Sequence, residues 1–319
     1  MSQSGKSAAA VADLGMSAAD FRSLFERLRR GNPWGQADRR GALNYITPAQ
    51  VVAAASQVRT GRTVSLAAEV EHEAAADNPE PWVHHMRHPA TGQDGKRGLD
   101  FALDSLTLHV HGNADSHIDA LCHVVYDGML YNDVVPGSWT DDAAADLSIG
   151  AAGQGIAGRG VLLDIPRLRG SEWLEPGDHV TVADLLEAEK SQDVHMGNGD
   201  ILFVRVGHRR RRQELGPWDA ASARAGLHPS ALELLADRRV AVLGSDGNND
   251  TAPSAADGVE FPVHVLALRA LGMMLLDYLQ FEDLVPVCAA TGRWSFLCVI
   301  APLRLPTATG SPVNPIAIL

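Results

Sequence analysis

The second half of this chain alternates short apolar runs with helix-length amphipathic stretches, and that alternation limits the fold more than any other feature. Residues 161–165, 201–206, 240–243 and 273–276 form four such runs, each rich in aliphatic side chains and too short for an ordinary helix. Runs of this kind suit strands that are buried on both faces. Helical spacing falls at 182–190, 229–237 and 263–271, and residues 295–305 close the chain with another apolar strand. Earlier, residues 63–70 and 106–110 read as strands. In the latter, Leu106, Leu108 and Val110 would share one face and Thr107 and His109 the other. The expected class is α/β of mixed α+β character, a mixed sheet wrapped by helices.

Residues 1–16 are small and polar, so loose order is expected there. Ser17 with Asp20 resembles a capping box, and Phe21, Leu24, Phe25 and Leu28 then recur at helical spacing until Gly31 and Pro33 stop the run. The apolar face of this outer helix has to cover something, and a second subunit is the candidate. No internal repeat or long linker divides the rest of the chain. The expected organisation is a flexible segment and amphipathic helix over 1–31, then one catalytic domain over 32–319.

A 319-residue chain that is 45% hydrophobic and 21% charged can bury a substantial core. Its net charge of −12 argues against nucleic acid or an anionic membrane surface as the main partner. Cys122, Cys288 and Cys298 are an odd number without C-x-x-C spacing. Buried thiols in a reducing compartment are expected, rather than disulfides or a thiolate zinc site. No apolar run is long enough to span a bilayer, and the N-terminus is too weakly apolar for a secretory signal, so the cytoplasm is the expected location.

Residues 113–123 carry the chemistry. His117, Asp119 and His123 occupy odd positions, while Ile118, Ala120 and Cys122 fill the even ones. In an extended segment, side chains alternate between faces, so the three polar groups point the same way. On a helix His117 and Asp119 would lie on nearly opposite sides. A neutral imidazole and a carboxylate two residues apart are sensible ligands for Zn²⁺ or Mn²⁺. On a straight strand His123 would stand roughly 20 Å from His117. Either the chain bends, or His123 works beside an ion as acid or base.

Other signals carry less. The G-x-G-x-x-G at 153–158 precedes the strand at 161 instead of following a strand into a helix, so it is no dinucleotide fingerprint. Asp246, Asn248 and Asp250 begin like a calcium loop, but Thr251 stands where glycine is needed and Asp257 where glutamate closes the site. The turn at Gly244-Ser245-Asp246 is still a candidate pocket border. Arg209 to Arg212 read as a solvated face. The 77–100 connection, with Trp82, His84, His85 and His88, reads equally as a binding loop or as a solvated one. G-x-S-x-G, P-loop and H-E-x-x-H motifs are absent, which leaves metal chemistry.

At these residues the chain resembles the putative cyclase family, which includes bacterial kynurenine formamidase and isatin hydrolase and whose signature runs H-x-G-T-H-x-D-x-P-x-H. His117 takes its second histidine, Asp119 its aspartate and His123 its last histidine. The segments at 34–35, 41–44, 47–48, 158–164, 199–200, 244–246 and 301–305 continue the likeness over most of the chain. The resemblance implies a swivelling β/β/α cyclase-like fold, usually a homodimer, with one or two Zn²⁺ or Mn²⁺ ions. By position it makes His117, Asp119, His264 and Asp277 metal ligands and His123 the catalytic acid or base. The first signature histidine is Asn113 here, which leaves His111 or Asp115 as substitutes. The implied activity is metal-dependent hydrolysis of an amide, lactam or ester-like bond in a small molecule. The alternatives are a metal-dependent cyclase, dehydratase or isomerase, and an inert metabolite-binding relative. Trp82, Tyr126 and Tyr131 are candidate aromatic walls.

Overall fold

Nine strands join in one mixed sheet in the computed structural model, which describes residues 15–31, 33–87, 101–137 and 146–319. The strands are β1 (Thr63–Ser65), β2 (Val83–Arg87), β3 (Leu103–Thr107), β4 (His117–Asp119), β5 (Ile156–Asp164), β6 (His179–Val180) and β7 (Ile201–Arg205). They continue with β8 (Gly226–Leu227), β9 (Val242–Ser245), β10 (Met274–Asp277), β11 (Ser295–Ile300), β12 (Gly310–Pro312) and β13 (Ile316–Ile318). The sheet runs β1-β13-β11-β5-β7-β9-β10-β4-β12, with β5, β7, β9 and β10 parallel and antiparallel neighbours on either side. The parallel centre accounts for the uninterrupted apolar runs: β7, β9 and β10 are buried along their whole length. By contrast, β11 buries Phe296, Cys298 and Ile300 and leaves alternate residues partly open. The mixed α/β class expected above is the class observed.

Helices α1 (Ala18–Arg30), α2 (Pro48–Ala55), α3 (Ile165–Arg169), α4 (Val182–Ser191), α5 (His208–Leu215), α6 (Ala231–Asp237), α7 (Pro262–His264) and α8 (Leu284–Thr291) surround the sheet. Helix α1 starts where Ser17 Oγ accepts from the Asp20 amide at 3.1 Å, and it buries Phe21, Leu24, Phe25 and Leu28. That face packs on residues 265–271 of the same chain and on Tyr126, so the cover is intramolecular and no second subunit is needed for it. From Val265 to Leu271 the helix that begins at α7 widens to π-helical geometry, a rare form often found beside functional sites. No helix among the described residues is long and apolar enough to cross a membrane, and all three cysteines are free and buried.

Two strand expectations shift. Of residues 63–70 only the first three are strand, and the strand expected at 106–110 lies at Leu103–Thr107. There it pairs with β2 in a separate, exposed ribbon, because the chain turns at 110–111 towards the site. Leu106 is therefore 66% exposed instead of facing a core. The loose order expected for residues 1–14, and His88, lie outside the described residues.

One close backbone approach fixes the N-terminal segment on this frame. Gly41 has φ +56°, and a Cβ there would stand 2.0 Å from the carbonyl oxygen of Gly272, which accepts from the Ala42 amide at 2.8 Å. Gly41→Ala is expected to cost ~2–5 kcal/mol through backbone strain and overpacking, read as a lower urea midpoint with an unchanged slope.

Candidate metal centre

Strand β4 lies between β10 and β12, and its register places His117 opposite Asp277 and Asp119 opposite Gly310. The extended reading holds: Ile118 packs into the core on one side, while His117 and Asp119 meet on the other. Their closest atoms, His117 Nε2 and Asp119 Oδ1, are 3.6 Å apart, and both residues are buried. Gly310 leaves space over Asp119, since a Cβ there would come within 2.7 Å of the His111 ring. Into that space His111 donates from Nδ1 to Asp119 Oδ1 at 2.9 Å, and its Nε2 meets Thr309 Oγ1 at 2.9 Å.

The second oxygen of Asp119 faces a different set. His264 Nε2 stands 3.3 Å from Asp119 Oδ2 and 3.3 Å from Asp277 Oδ2. Thus Asp119 is shared by two groups, His111 with His117 on one side and His264 with Asp277 on the other, whose ligand atoms lie within 4.8 Å of one another in each group. Asp119 Oδ2 is buried and has no hydrogen-bond partner among the described residues.

Each imidazole is aimed by its other nitrogen. His117 Nδ1 donates to the Asp115 carbonyl at 2.8 Å, and His264 Nδ1 donates to Asp250 Oδ2 at 2.5 Å. Both Nε2 atoms are thereby directed at the carboxylates. A second acceptor on the far nitrogen is the usual support of a metal-bound histidine. Asp250 also takes the backbone amides of Val263 (2.6 Å) and His264 (3.0 Å), so one carboxylate caps the helix and orients its histidine. Asp277 is fixed by Asn248 Nδ2 (2.7 Å) and by the Asn249 amide (3.2 Å) and side chain (2.5 Å).

Charge balance favours a cation here. Burial alone would push His264 down, but the charges of Asp277, Asp119 and Asp250 outweigh it and hold the imidazole well above its ordinary pKa. Burial alone would likewise raise Asp119, but the adjacent imidazoles of His111 and His264 hold it well below the carboxylate range. The pocket thus stabilises positive charge at His264 Nε2, and two imidazole nitrogens with two carboxylates are a donor set that fits Zn²⁺ or Mn²⁺. The unpartnered Asp119 Oδ2 is the atom such an ion would satisfy.

His123 reaches the cluster because β4 ends at Asp119 and the chain turns, with the His123 amide on the Ala120 carbonyl at 2.9 Å. Its ring stacks on His111 with centroids 3.8 Å apart. Burial pushes its pKa down to about 4, despite the attraction of Asp119. His111, His117, Asp119, His123, His264 and Asp277 open on a cavity of about 650 Å³ walled by Val124, Val125, Tyr126, Val259, Phe261 and Val265. Of the three aromatic walls expected, only Tyr126 lines it. Tyr131 is buried with its hydroxyl on Asp38, and Trp82 stacks on His84. Asn113 Oδ1 accepts from Tyr278 Oη at 2.8 Å, and Asp115 accepts from the Glu71 amide, so His111 is the substitute that joins the cluster.

The model of the family described as Putative cyclase matches residues 63–249, more than half of the chain. The chain belongs to this family. Within the cyclase fold, a crystal structure described as a novel cyclase superposes with TM-score 0.82 at 33% identity, covering 92% of this chain and 99% of that one. An isatin hydrolase bound to the product analogue thioisatinate gives TM-score 0.56 at 18% identity over 86% of this chain and 99% of its own. Isatin hydrolase A from Labrenzia aggregata, bound to benzyl benzoate, gives 0.55 at 18% over 85% and 99%. At that identity the hydrolases share the fold alone. No curated protein sequence matches the chain.

Several residues of this cyclase-family site escaped the sequence reading. Asp250, Asn248 and Asn249 fall in the calcium-like loop, yet they hold His264 and Asp277. The signal was there in an amide and carboxylate cluster directly after a buried apolar strand. The reading of 209–212 as a solvated face fails at Arg209. It is buried in α5 and donates to the carbonyls of Leu279, Ala114 and Tyr278, tying the entry of β4 to the exit of β10. Backbone carbonyls leave no mark in a sequence, so no charge pattern could have shown this. Arg212 pairs with Asp77 and Glu71.

Proposed function

We propose that this chain is a metal-dependent hydrolase of an amide, lactam or ester-like bond in a small molecule. One observation carries the reading. His117 Nε2, Asp119, His264 Nε2 and Asp277 converge at the floor of a cavity of small-molecule size, and both imidazoles are anchored through Nδ1. These four residues would hold one or two ions, Mn²⁺ or Zn²⁺, with Asp119 shared between the two groups. When bound, such an ion polarises a carbonyl and acidifies water.

The chain's own residues supply the rest. Asp250, Asn248 and Asn249 keep the ligands from moving as charge builds up. His123, neutral at pH 7 because it is buried, takes a proton from the attacking water on an imidazole nitrogen. As the bond from carbonyl carbon to nitrogen or oxygen breaks, the same proton passes to the leaving atom. Apolar side chains from Val124, Val125, Val259 and Phe261 line the cavity around that exchange.

The test combines elemental analysis of the isolated protein with a panel of N-formyl, lactam and lactone compounds. Bound divalent metal and turnover of one class with gain of one water support the reading. Protein free of divalent metal, or reaction without added water, overturns it. A second reading has its own support, since the structure at 33% identity is described as a cyclase. In that case His123 would move a proton beside a stabilised enolate, and product mass decides: elimination loses water and isomerisation leaves the mass unchanged.

A further inference from the structure

The wall of the metal-cluster cavity contains a guanidinium that the hydrolytic scheme does not use. Arg224 is 2% exposed, yet it lines this cavity alongside His264 and Asp277. Two of its three nitrogens are committed to backbone carbonyls: Nε to Asp250 at 2.9 Å, and Nη1 to Ala220 at 3.0 Å and Ala221 at 2.7 Å. Its own backbone is pinned to Ala252 by paired hydrogen bonds of 3.0 Å each. Phe261 lies against the guanidinium, 5.0 Å from ring centroid to Cζ. Nη2 has no hydrogen-bond partner among the described residues, and it is not sealed in protein either. No carboxylate among the described residues forms an ion pair with Arg224: the side-chain oxygens of Asp250 serve the Val263 amide and His264, Glu260 sits at the exposed rim, and the exposed Asp219 acts on it only through its charge.

A buried cation that is rigidly held, stacked on an aromatic ring and left without an ion-paired carboxylate is costly unless an anion arrives. We infer that Arg224 Nη2 binds a carboxylate of the substrate. The substrate is then a small organic acid, with its acid group on Arg224 and its reacting carbonyl over Asp119 and His264. The spacing suits a small molecule, since Arg224 Nε is bonded to the carbonyl of the very residue whose carboxylate orients His264. Phe261 and Val259, on the same wall, would pack the apolar body between the two ends. This assignment rests on the hydrolase reading for the reacting end only, because capture of the acid needs no turnover.

Calorimetry with benzoate and its neutral analogue benzamide tests it on the protein as isolated. Wild type is expected to bind benzoate at least ~10-fold more tightly than benzamide, the gain of a charge-assisted hydrogen bond. Arg224→Gln is expected to remove that preference, and Arg224→Lys to keep part of it, with melting temperatures confirming that both variants fold. Equal affinities in wild type, or failure of benzoate to bind, overturn the inference without recourse to any variant. A preference that survives Arg224→Gln places the anion on the metal cluster and overturns it too. Absence of divalent metal from the isolated protein would sink the hydrolase reading instead, and would leave this comparison standing.

Discussion

Asp119→Asn should leave a folded protein that no longer retains its metal, with ion affinity lowered by more than ~100-fold, beyond the usual cost of losing an outer partner. The variant keeps the size and planarity of the side chain and removes the one charge shared by both halves of the cluster. Oδ1 faces His111 and His117, and Oδ2 faces His264 without a hydrogen-bond partner among the described residues. An amide placed there offers one oxygen in place of two and turns an NH₂ towards either an imidazole or the ion. Thermal melts read the loss directly. Added Mn²⁺ or Zn²⁺ is expected to raise the melting temperature of wild type, since an ion held by this cluster would bind only the folded state, while the variant's melt is expected to stay flat. A variant that still binds metal and turns over like wild type would remove Asp119 from the centre and dissolve the proposed ligand set.

How much of this was legible in the sequence depended on how local the cause is. The parallel strands were readable because burial on both faces demands unbroken aliphatic runs, and Ile201–Arg205 and Met274–Asp277 lie within a residue or two of where those runs fall. His117 and Asp119 were readable because period two is a local property of an extended chain. The strand expected at 106–110 slipped towards the N-terminus because alternation alone does not say where a chain must turn, and here it turns at 110–111 to deliver His111.

Long-range partners were visible only through resemblance. His264 and Asp277 come from a helix start and a strand end far downstream, and nothing in their own surroundings marks them as neighbours of β4. Least visible were the groups that act through backbone atoms or through other side chains. Asp250 looks like a failed calcium ligand in sequence and is a helix cap and histidine anchor in the fold. Arg209 looks like part of a charged surface run, yet it satisfies three carbonyls in the interior. Such roles exist only once the strands have met.

His123 tests the chemistry as Asp119 tests the ion, and the two should fail differently. His123→Gln is expected to lower kcat by ~10²–10⁴-fold, the range for loss of a positioned base, while metal content and KM change little. The separation follows from geometry: His123 stacks on His111 and lines the cavity but stands outside both groups of converging ligand atoms. Its low pKa sets the sign of the pH effect. Burial holds the ring neutral down to about pH 4, so the proton-accepting form persists through the whole neutral range. In wild type, acid loss of activity from this group should begin well below the ordinary histidine value of about 6.5, and a nearby cation would push it lower still. Were His123 instead a ligand, His123→Gln would lose metal along with activity, and extra Mn²⁺ or Zn²⁺ would restore part of the rate. A loss of kcat at full metal content, not rescued by added ion, is the result that assigns it the proton.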